Sequence, residues 1–325
     1  MSGHLSSFAD LLAPVRQEPF FEQYWESQPL HIRRSDADHY APLLTARDVE
    51  ATLSAGGLRY PAIQLARDGG FFPPEAFTRN VRSGGDVFTG IPDLDRIRAE
   101  YRSGATISLP GFHRAWAPLG RLAAAIEAEF DHPVHTNVYI TPGNAVGFSP
   151  HYDTHEVFVL QIAGSKRWRV HSPPLSLPHR SQPFDPRTYE SSGPLFELDL
   201  LPGDLLYLPR GYVHTTQTSA SFSLHVTLGI TVYTWVELLA EWIQSSRSKE
   251  SFRRALPPGF AQNEQLRQSL ADRLTGMIDE LRSTSDYAAF LDHFCHRVRS
   301  ARAGLGSSFS VNVTAGAPPA QNKSG

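Results

Sequence analysis

The chain has 325 residues, of which 41% are apolar, so it is long enough to bury a sizeable core. Its formal net charge is −3 with both signs mixed along the sequence, which gives no electrostatic basis for direct nucleic-acid binding. The single cysteine, Cys295, excludes an intrachain disulfide framework. The sequence has neither a signal-peptide pattern at its start nor an apolar run of about 18 residues, so we expect a cytoplasmic protein without a membrane span.

Residues 1–85 mix short helical patterns with proline and glycine breaks, and we expect this segment to pack on the rest of the fold. Within it, "FFEQYWESQPLHIRR" predicts a short helix, a turn at Pro29 and then a strand.

Residues 86–233 predict a mainly β domain with one internal helix, "PLGRLAAAIEAEF", whose apolar residues recur at helical spacing. The strand candidates are "HTNVYI", "EVFVLQI", "RWRV", "DLLYLP" and "SFSLHVTLGI". Turn signals at Pro142-Gly143, Gly164 and Pro202-Gly203-Asp204 separate several of them. Many short strands with such turns favour a sandwich or a barrel.

The pattern becomes helical after Thr234, which together with Glu237 forms a capping-box signature. Three apolar stripes at helical spacing follow, and they predict a helical region over residues 234–302. The stripes carry more aromatic surface than a short appendage can bury on one barrel, so we expect a homodimer. Residues 303–325 are small and polar, which predicts a disordered tail.

Metal-ligand residue types cluster in "SPHYDTHEVF". In a strand, residues two apart point to the same face, so His151 and Asp153 can face one point. His214 follows the turn-strand-turn pattern "GDLLYLPRGYVH", in which a histidine opens the next strand. Two histidines and one carboxylate form the ligand set of non-haem Fe(II) oxygenases, which leaves coordination positions open. A lone H-x-D is common by chance, and the second motif is what favours a metal site.

These two motifs carry a family resemblance. "GDLLYLPRGYVH" matches the second cupin motif, and "NVYITPGNAVGFSPHYDTHEVFVLQIAGSKRWRVHSP" resembles the JmjC-type, cupin-like 2-oxoglutarate oxygenases, within them the ribosomal oxygenase branch. The resemblance implies a double-stranded β-helix, also called a jelly roll. It also implies an Fe(II)- and 2-oxoglutarate-dependent dioxygenase that hydroxylates an amino-acid side chain in a protein or peptide, with ribosomal protein as one candidate.

The resemblance also assigns a co-substrate pocket. It implies that Lys166 binds the far carboxylate of 2-oxoglutarate, whereas the sequence alone favours a solvated lysine at a hairpin tip. It places Asn137 and Tyr139, which share a strand face, in the same pocket as hydrogen-bond donors. His225 and Thr227 share another strand face; His225 either lines the pocket or is a packed core histidine.

Two further polar residues of the first motif keep open roles. His155 is interpreted as a residue at the rim or on the substrate side. Glu156 could imitate the carboxylate ligand of ordinary cupins, although Asp153 already fills the carboxylate position of H-x-D.

Several rival functions remain at this stage. The substrate could be a small metabolite or a natural-product peptide, and a JmjC-type demethylase would share the same ligands. A cupin isomerase or dioxygenase that does not use 2-oxoglutarate would have no use for the Lys166 anchor. A non-catalytic cupin-fold binding module would be expected to lose metal ligands.

Overall fold

The computed structural model describes residues 5–191 and 193–302. The N-terminal part begins with short helices and one short strand, and it continues with a β-rich stretch that includes a separate hairpin. Its elements are α1 (Phe8–Leu12), α2 (Gln17–Gln23), β1 (Leu30–Ile32), α3 (Ala46–Ser54), β2 (Gln64–Arg67), β3 (Gly70–Phe71), β4 (Thr78–Ser83), β5 (Asp86–Pro92), α4 (Leu94–Arg102) and β6 (Thr106–Pro110).

The central part contains one longer helix followed by the main strands, and the C-terminal part is helical. These elements are α5 (Ala117–Phe130), β7 (Val134–Thr141), β8 (Glu156–His171), β9 (Phe196–Leu200), β10 (Leu205–Leu208), β11 (Val213–Ile230), α6 (Trp235–Ser245), α7 (Glu250–Arg253), α8 (Glu264–Thr284) and α9 (Tyr287–Ala301).

The described strands form one antiparallel nine-stranded sheet in the order β1-β10-β8-β11-β7-β6-β2-β3, with β9 paired to β8. β4 and β5 pair only with each other. The predicted boundary at residue 85 therefore falls inside a hairpin. In addition, β1, β2 and β3 of the N-terminal segment are members of the main sheet rather than elements packed on it.

Two long strands, β8 and β11, bend near their middle, and each changes partners along its length. β10 pairs with the first part of β8 and β9 with its second part, while β7 pairs only with the second part of β11. The predicted turn at Gly164 does not end a strand, because β8 continues from Glu156 to His171. Gly164 instead allows the bend: its φ is +64°, and a Cβ there would lie 1.8 Å from the carbonyl oxygen of Phe222. The register between β8 and β11 also shifts at this place.

The apolar run "VFVLQI" is buried on both faces of the sheet. Phe158 and Leu160 pack into the large core between the sheet and the helices. Val157 and Val159 point the other way, into a smaller core inside the barrel that includes Trp168. Burial on both faces explains why this strand reads as a continuous apolar run rather than an alternating one.

The C-terminal helices begin where the capping signature predicts. Thr234 is the N-cap of α6, and its side chain and that of Glu237 form the reciprocal bonds of a capping box. The apolar side of these helices is only partly covered, since the Trp235 side chain is 76% exposed. The disordered tail expected over 303–325 lies outside the described residues.

Candidate metal centre

Alternate residues leading into β8 face one cavity of about 250 Å³ inside the barrel. His151, Asp153, His155 and Val157 all line it, as expected for an extended segment. One wall of the cavity is therefore formed by every second side chain of a segment that continues into the buried strand β8.

The three predicted metal ligands come together in this cavity. One possible ligand atom from each of His151, Asp153 and His214 lies within 4.8 Å of the other two. The two histidines stand opposite each other in an antiparallel bridge, in which the His214 N–H donates to the His151 carbonyl at 2.9 Å. The motif containing His214 is thus held beside His151 and Asp153 by main-chain bonds.

Both histidines have one ring nitrogen occupied by the backbone. Nδ1 of His151 lies 2.8 Å from the carbonyl oxygen of Ser149, and Nδ1 of His214 lies 3.1 Å from that of Tyr212. A carbonyl oxygen only accepts, so each Nδ1 carries the proton and each Nε2 keeps its lone pair. Nε2 of His214 lies 3.8 Å from Oδ2 of Asp153, so the lone pair is available at the centre of the cluster.

The charge states suit a cation site. Burial, followed by the charge of His151, lowers the pKa of His214 to about 4, so this imidazole is neutral at pH 7. Burial alone would raise the pKa of Asp153, but the nearby histidines, His155 first, outweigh it and the pKa lies below its usual range. A neutral imidazole and an ionised carboxylate are the forms that bind a metal.

Glu156, the alternative carboxylate, is not part of this cluster. It points to the opposite face and is fully buried. Its oxygens accept hydrogen bonds from the Tyr207 hydroxyl at 2.5 Å and from the Arg210 guanidinium at 2.7 Å.

Lys166 lies deep in the same cavity and not at a hairpin tip. Its side chain is 3% exposed, and Nζ donates to Oγ1 of Thr141 at 3.3 Å. Burial lowers the pKa of Lys166 to about 7. Because one neutral hydroxyl does not compensate a buried ammonium group, this position suits an anionic ligand group.

The remaining four predicted pocket residues face the cavity from two paired strands. The register of β7 and β11 places Tyr139 opposite His225 and Asn137 opposite Thr227. The rings of Tyr139 and His225 are stacked, with centroids 5.1 Å apart. His225 is thus both packed and in the cavity wall, so the two readings left open by the sequence are not exclusive.

Several lining residues were missed by the sequence analysis. Trp168 and Thr216 line the cavity, and each follows a predicted site residue, Lys166 or His214, by two positions. Because residues two apart in a strand point to the same face, the predicted positions of Lys166 and His214 would have identified both residues. Phe148 directly precedes "SPHYDTHEVF", whereas Phe71 belongs to β3. The two ring centroids are 5.6 Å apart, and no local sequence signal predicts this contact.

Comparison with known proteins agrees with this architecture. Residues 114–238 match the family model described as "JmjC domain", and this range includes every predicted site residue. The chain is a JmjC-domain protein. The JmjC resemblance seen in the two motifs is thereby confirmed.

Its relatives include ribosomal oxygenase 2 of Rattus norvegicus, 30% identical over 85% of this chain and 59% of the relative. Another is the bifunctional lysine-specific demethylase and histidyl-hydroxylase NO66 of Drosophila persimilis, 30% identical over 68% of this chain and 31% of the relative. The chain thus spans less than two thirds of the length of either curated relative.

The fold has a solved counterpart. The Escherichia coli ribosomal oxygenase YcfD, in complex with cobalt and 2-oxoglutarate, aligns with a TM-score of 0.51 at 15% identity, over 82% of this chain and 67% of that chain. This likeness and the JmjC match confirm the predicted cupin-like fold. Within the described ranges, every helix is too short or too polar to cross a bilayer.

Proposed function

We propose that this chain is an Fe(II)- and 2-oxoglutarate-dependent oxygenase that hydroxylates an amino-acid side chain in a protein or peptide, with ribosomal protein as the substrate class. One observation carries the proposal: a two-histidine, one-carboxylate cluster and a buried lysine share a single cavity. The names of the relatives, ribosomal oxygenases and a histidyl-hydroxylase, supply the substrate class.

The donor set fits Fe(II). His151, Asp153 and His214 offer two imidazole nitrogens and one carboxylate within 4.8 Å of one another, which is the donor set used by non-haem iron oxygenases, and they would hold the metal. The backbone carbonyls that bind Nδ1 of each histidine fix the ring orientation before a metal arrives. Such outer contacts favour a single coordination geometry.

The buried Lys166 position in the same cavity fits one carboxylate of a dicarboxylate. The Lys166 ammonium group would hold the far carboxylate of 2-oxoglutarate through a charge-assisted bond. Asn137, Tyr139 and Thr227 provide polar groups along the same wall, in the register already described. His225 stacks on Tyr139 and limits the rotation of its ring.

Fe(II) and 2-oxoglutarate, when bound, would supply the activation of O₂ that side-chain hydroxylation requires. The residues of the chain do the rest. His151, Asp153 and His214 would hold the metal, and Lys166 would bind the far carboxylate of the co-substrate and so orient it. Phe71 and Phe148 contribute apolar surface to the cavity lining, and Phe71 lies on the solvent side because it is 61% exposed.

The rival functions are separated by one reconstitution experiment. The purified protein is loaded anaerobically with Fe(II) and 2-oxoglutarate, then exposed to O₂ with ribosomal proteins extracted from ribosomes. Succinate formation supports the proposed class. Iron binding without 2-oxoglutarate turnover would favour another cupin metalloenzyme, and neither activity would favour a binding module.

We expect the product to be a stable alcohol and not a demethylated amine. Recognition of a methylated cation often uses an aromatic cage. Here Tyr139 is stacked on His225 and Trp168 lies against His214, with centroids 5.5 Å apart, so both rings already pack against histidines of the cavity wall. Mass spectrometry of the protein substrate should show the gain of one oxygen atom, dependent on 2-oxoglutarate.

The matched control is His151→Ala, which should give no oxygen gain. Formaldehyde release in step with loss of a methyl group would contradict hydroxylation and place the chain with the demethylases.

We propose in addition that residues 234–302 mediate a homodimer. The helices of this region leave apolar side chains exposed although they are amphipathic: Trp235 76%, Val236 59%, Leu239 47%, Ile243 54%, Leu274 61%, Ile278 53% and Leu291 45%. Exposed apolar surface of this extent is typical of an interface, and a second copy of the chain offers the same apolar surface in return.

Light scattering at micromolar concentration should give twice the mass of the chain. Trp235→Glu places a charge in the proposed interface and should shift the protein to monomer. The control Val87→Glu alters a side chain that is 50% exposed in the separate β4–β5 hairpin and should leave the dimer intact. A monomer in the wild-type protein would contradict the proposal.

A further inference from the structure

A network of charged contacts, buried at one end, joins the segments that carry the candidate metal ligands to the N-terminal segment. Glu156 accepts from Tyr207 and Arg210, and Arg210 also pairs with Glu26, which lies 184 positions away in sequence. The Arg210 side chain is 6% exposed and that of Glu156 0%, so both charges are withdrawn from water. Glu26 is the solvent end of the network, at 35% exposed.

The ends of this ion pair lie on the two segments that carry the metal ligands. Arg210 stands in the turn before His214, and Glu156 follows Asp153 at the start of β8. Main-chain bonds cross the same gap: Gly211 N–H donates to the Asp153 carbonyl at 3.0 Å, beside the bridge between His151 and His214. The ion pair and these main-chain bonds therefore join the same two segments.

The loop after α2 holds the other side of this turn. The Glu26 N–H donates to the Tyr207 hydroxyl at 2.9 Å, and the Tyr212 hydroxyl donates to the Ser27 carbonyl at 2.9 Å. The rings of Trp25 and Tyr207 are stacked with an interplanar angle of 10°. Glu26 has a φ of 56°, a left-handed conformation that costs free energy in a residue other than glycine and that surrounding contacts must maintain.

We propose that Glu26 and Glu156 are positioning residues. Their ion pairs with Arg210 hold the His214 turn against the His151–Asp153 segment before metal binds. This inference rests on the proposed metal site. Its physical reason is that a buried ion pair contributes little net stability compared with apolar packing, but it defines one geometry because both partners must stay within hydrogen-bond distance. Metal sites lose affinity when ligand atoms shift by a fraction of an ångström.

The test variant is Glu26→Gln, which removes the charge at the partly exposed end and keeps the size of the side chain. The matched control is Glu197→Gln, which breaks the exposed ion pair between Glu197 and Arg169 on the β8–β9 pair. The second test variant is Arg210→Lys, which keeps the charge but replaces the guanidinium, whose Nη1 contacts both carboxylates, with a more strongly hydrated ammonium group on a shorter side chain.

The first measurement is amide hydrogen exchange in the metal-free protein. Exchange at Gly211 and His214 should be accelerated about tenfold in Glu26→Gln and further in Arg210→Lys, because their N–H groups cross the gap between the two segments. Exchange at Val226, in the centre of the sheet, should not change, and Glu197→Gln should match the wild type at all three amides.

The second measurement is Co(II) titration, in which both test variants should bind about tenfold more weakly, the lower end of the range for losing an outer contact. Unchanged exchange at Gly211 and His214 in both variants would overturn the inference. Acceleration that includes Val226 to the same extent would also overturn it, because it would show only a loss of global stability. A wild-type protein that binds no Co(II) would contradict the proposed function, and the exchange data would still decide whether the network holds the turn.

Discussion

Replacing His214 with alanine should abolish stoichiometric metal binding and all 2-oxoglutarate turnover, while the fold survives. His214 is 5% exposed and supplies one of only three ligand groups in the cluster. Without it, the two ligands left on the His151–Asp153 segment cannot form a facial site. The backbone of the turn keeps its bonds to His151 and Asp153, so the sheet has no reason to come apart.

Titration with Co(II), followed by its visible absorption, measures the loss, and succinate formation measures turnover. The control His293→Ala removes an exposed histidine of α9 and should titrate like the wild type. Circular dichroism establishes that the variant is folded. Tight stoichiometric metal binding by a folded His214→Ala protein would exclude the assignment of His214 as a ligand.

The second large effect is expected at the co-substrate end. Lys166→Met keeps the length of the side chain and removes its charge, so iron binding should persist. A buried charge-assisted bond is worth roughly 1.5–3 kcal/mol, so the KM for 2-oxoglutarate should rise about tenfold or more. Steady-state kinetics with 2-oxoglutarate as the varied substrate measures the change.

The control is Arg169→Met. Arg169 is another cation on β8, but its side chain is 41% exposed and paired with Glu197, and it does not line the cavity. Its replacement should leave the KM unchanged. If Arg169→Met raised the KM and Lys166→Met did not, the anchor would be Arg169.

The pH dependence has a defined sign. Burial lowers the pKa of Lys166 to about 7 in the free protein, whereas a bound carboxylate favours the charged form and raises that pKa. At a pH between the pKa of Lys166 in the free protein and its pKa in the complex, 2-oxoglutarate binding is accompanied by proton uptake at Lys166. The KM for 2-oxoglutarate should therefore rise as pH increases above about 7, and this rise should be absent in Lys166→Met.

Local patterns were enough to predict the candidate metal ligands and the C-terminal helices. His151 and Asp153 share a face because alternation in an extended segment needs no knowledge of the rest of the fold. The helical region after Thr234 was equally readable, since its capping box and apolar spacing are properties of neighbouring residues. The prediction that Lys166 lies in the co-substrate pocket needed the family resemblance, because a lysine shortly after a glycine by itself predicts a hairpin tip.

Relations between distant segments were decided only by the tertiary structure. β8 continues through Gly164, where the backbone passes close to Phe222 of β11. The local sequence gives no sign of this long-range contact. Glu156 lies outside the metal-ligand cluster and instead accepts hydrogen bonds from Arg210 and Tyr207, which strand pairing brings near it. Arg210 also pairs with Glu26. Sequence alone determined which residues could bind a metal, because ligand type and strand parity are local. Only the packed sheet determined how deep Lys166 lies and which charged groups pair beside the candidate site, because burial and pairing depend on the whole chain.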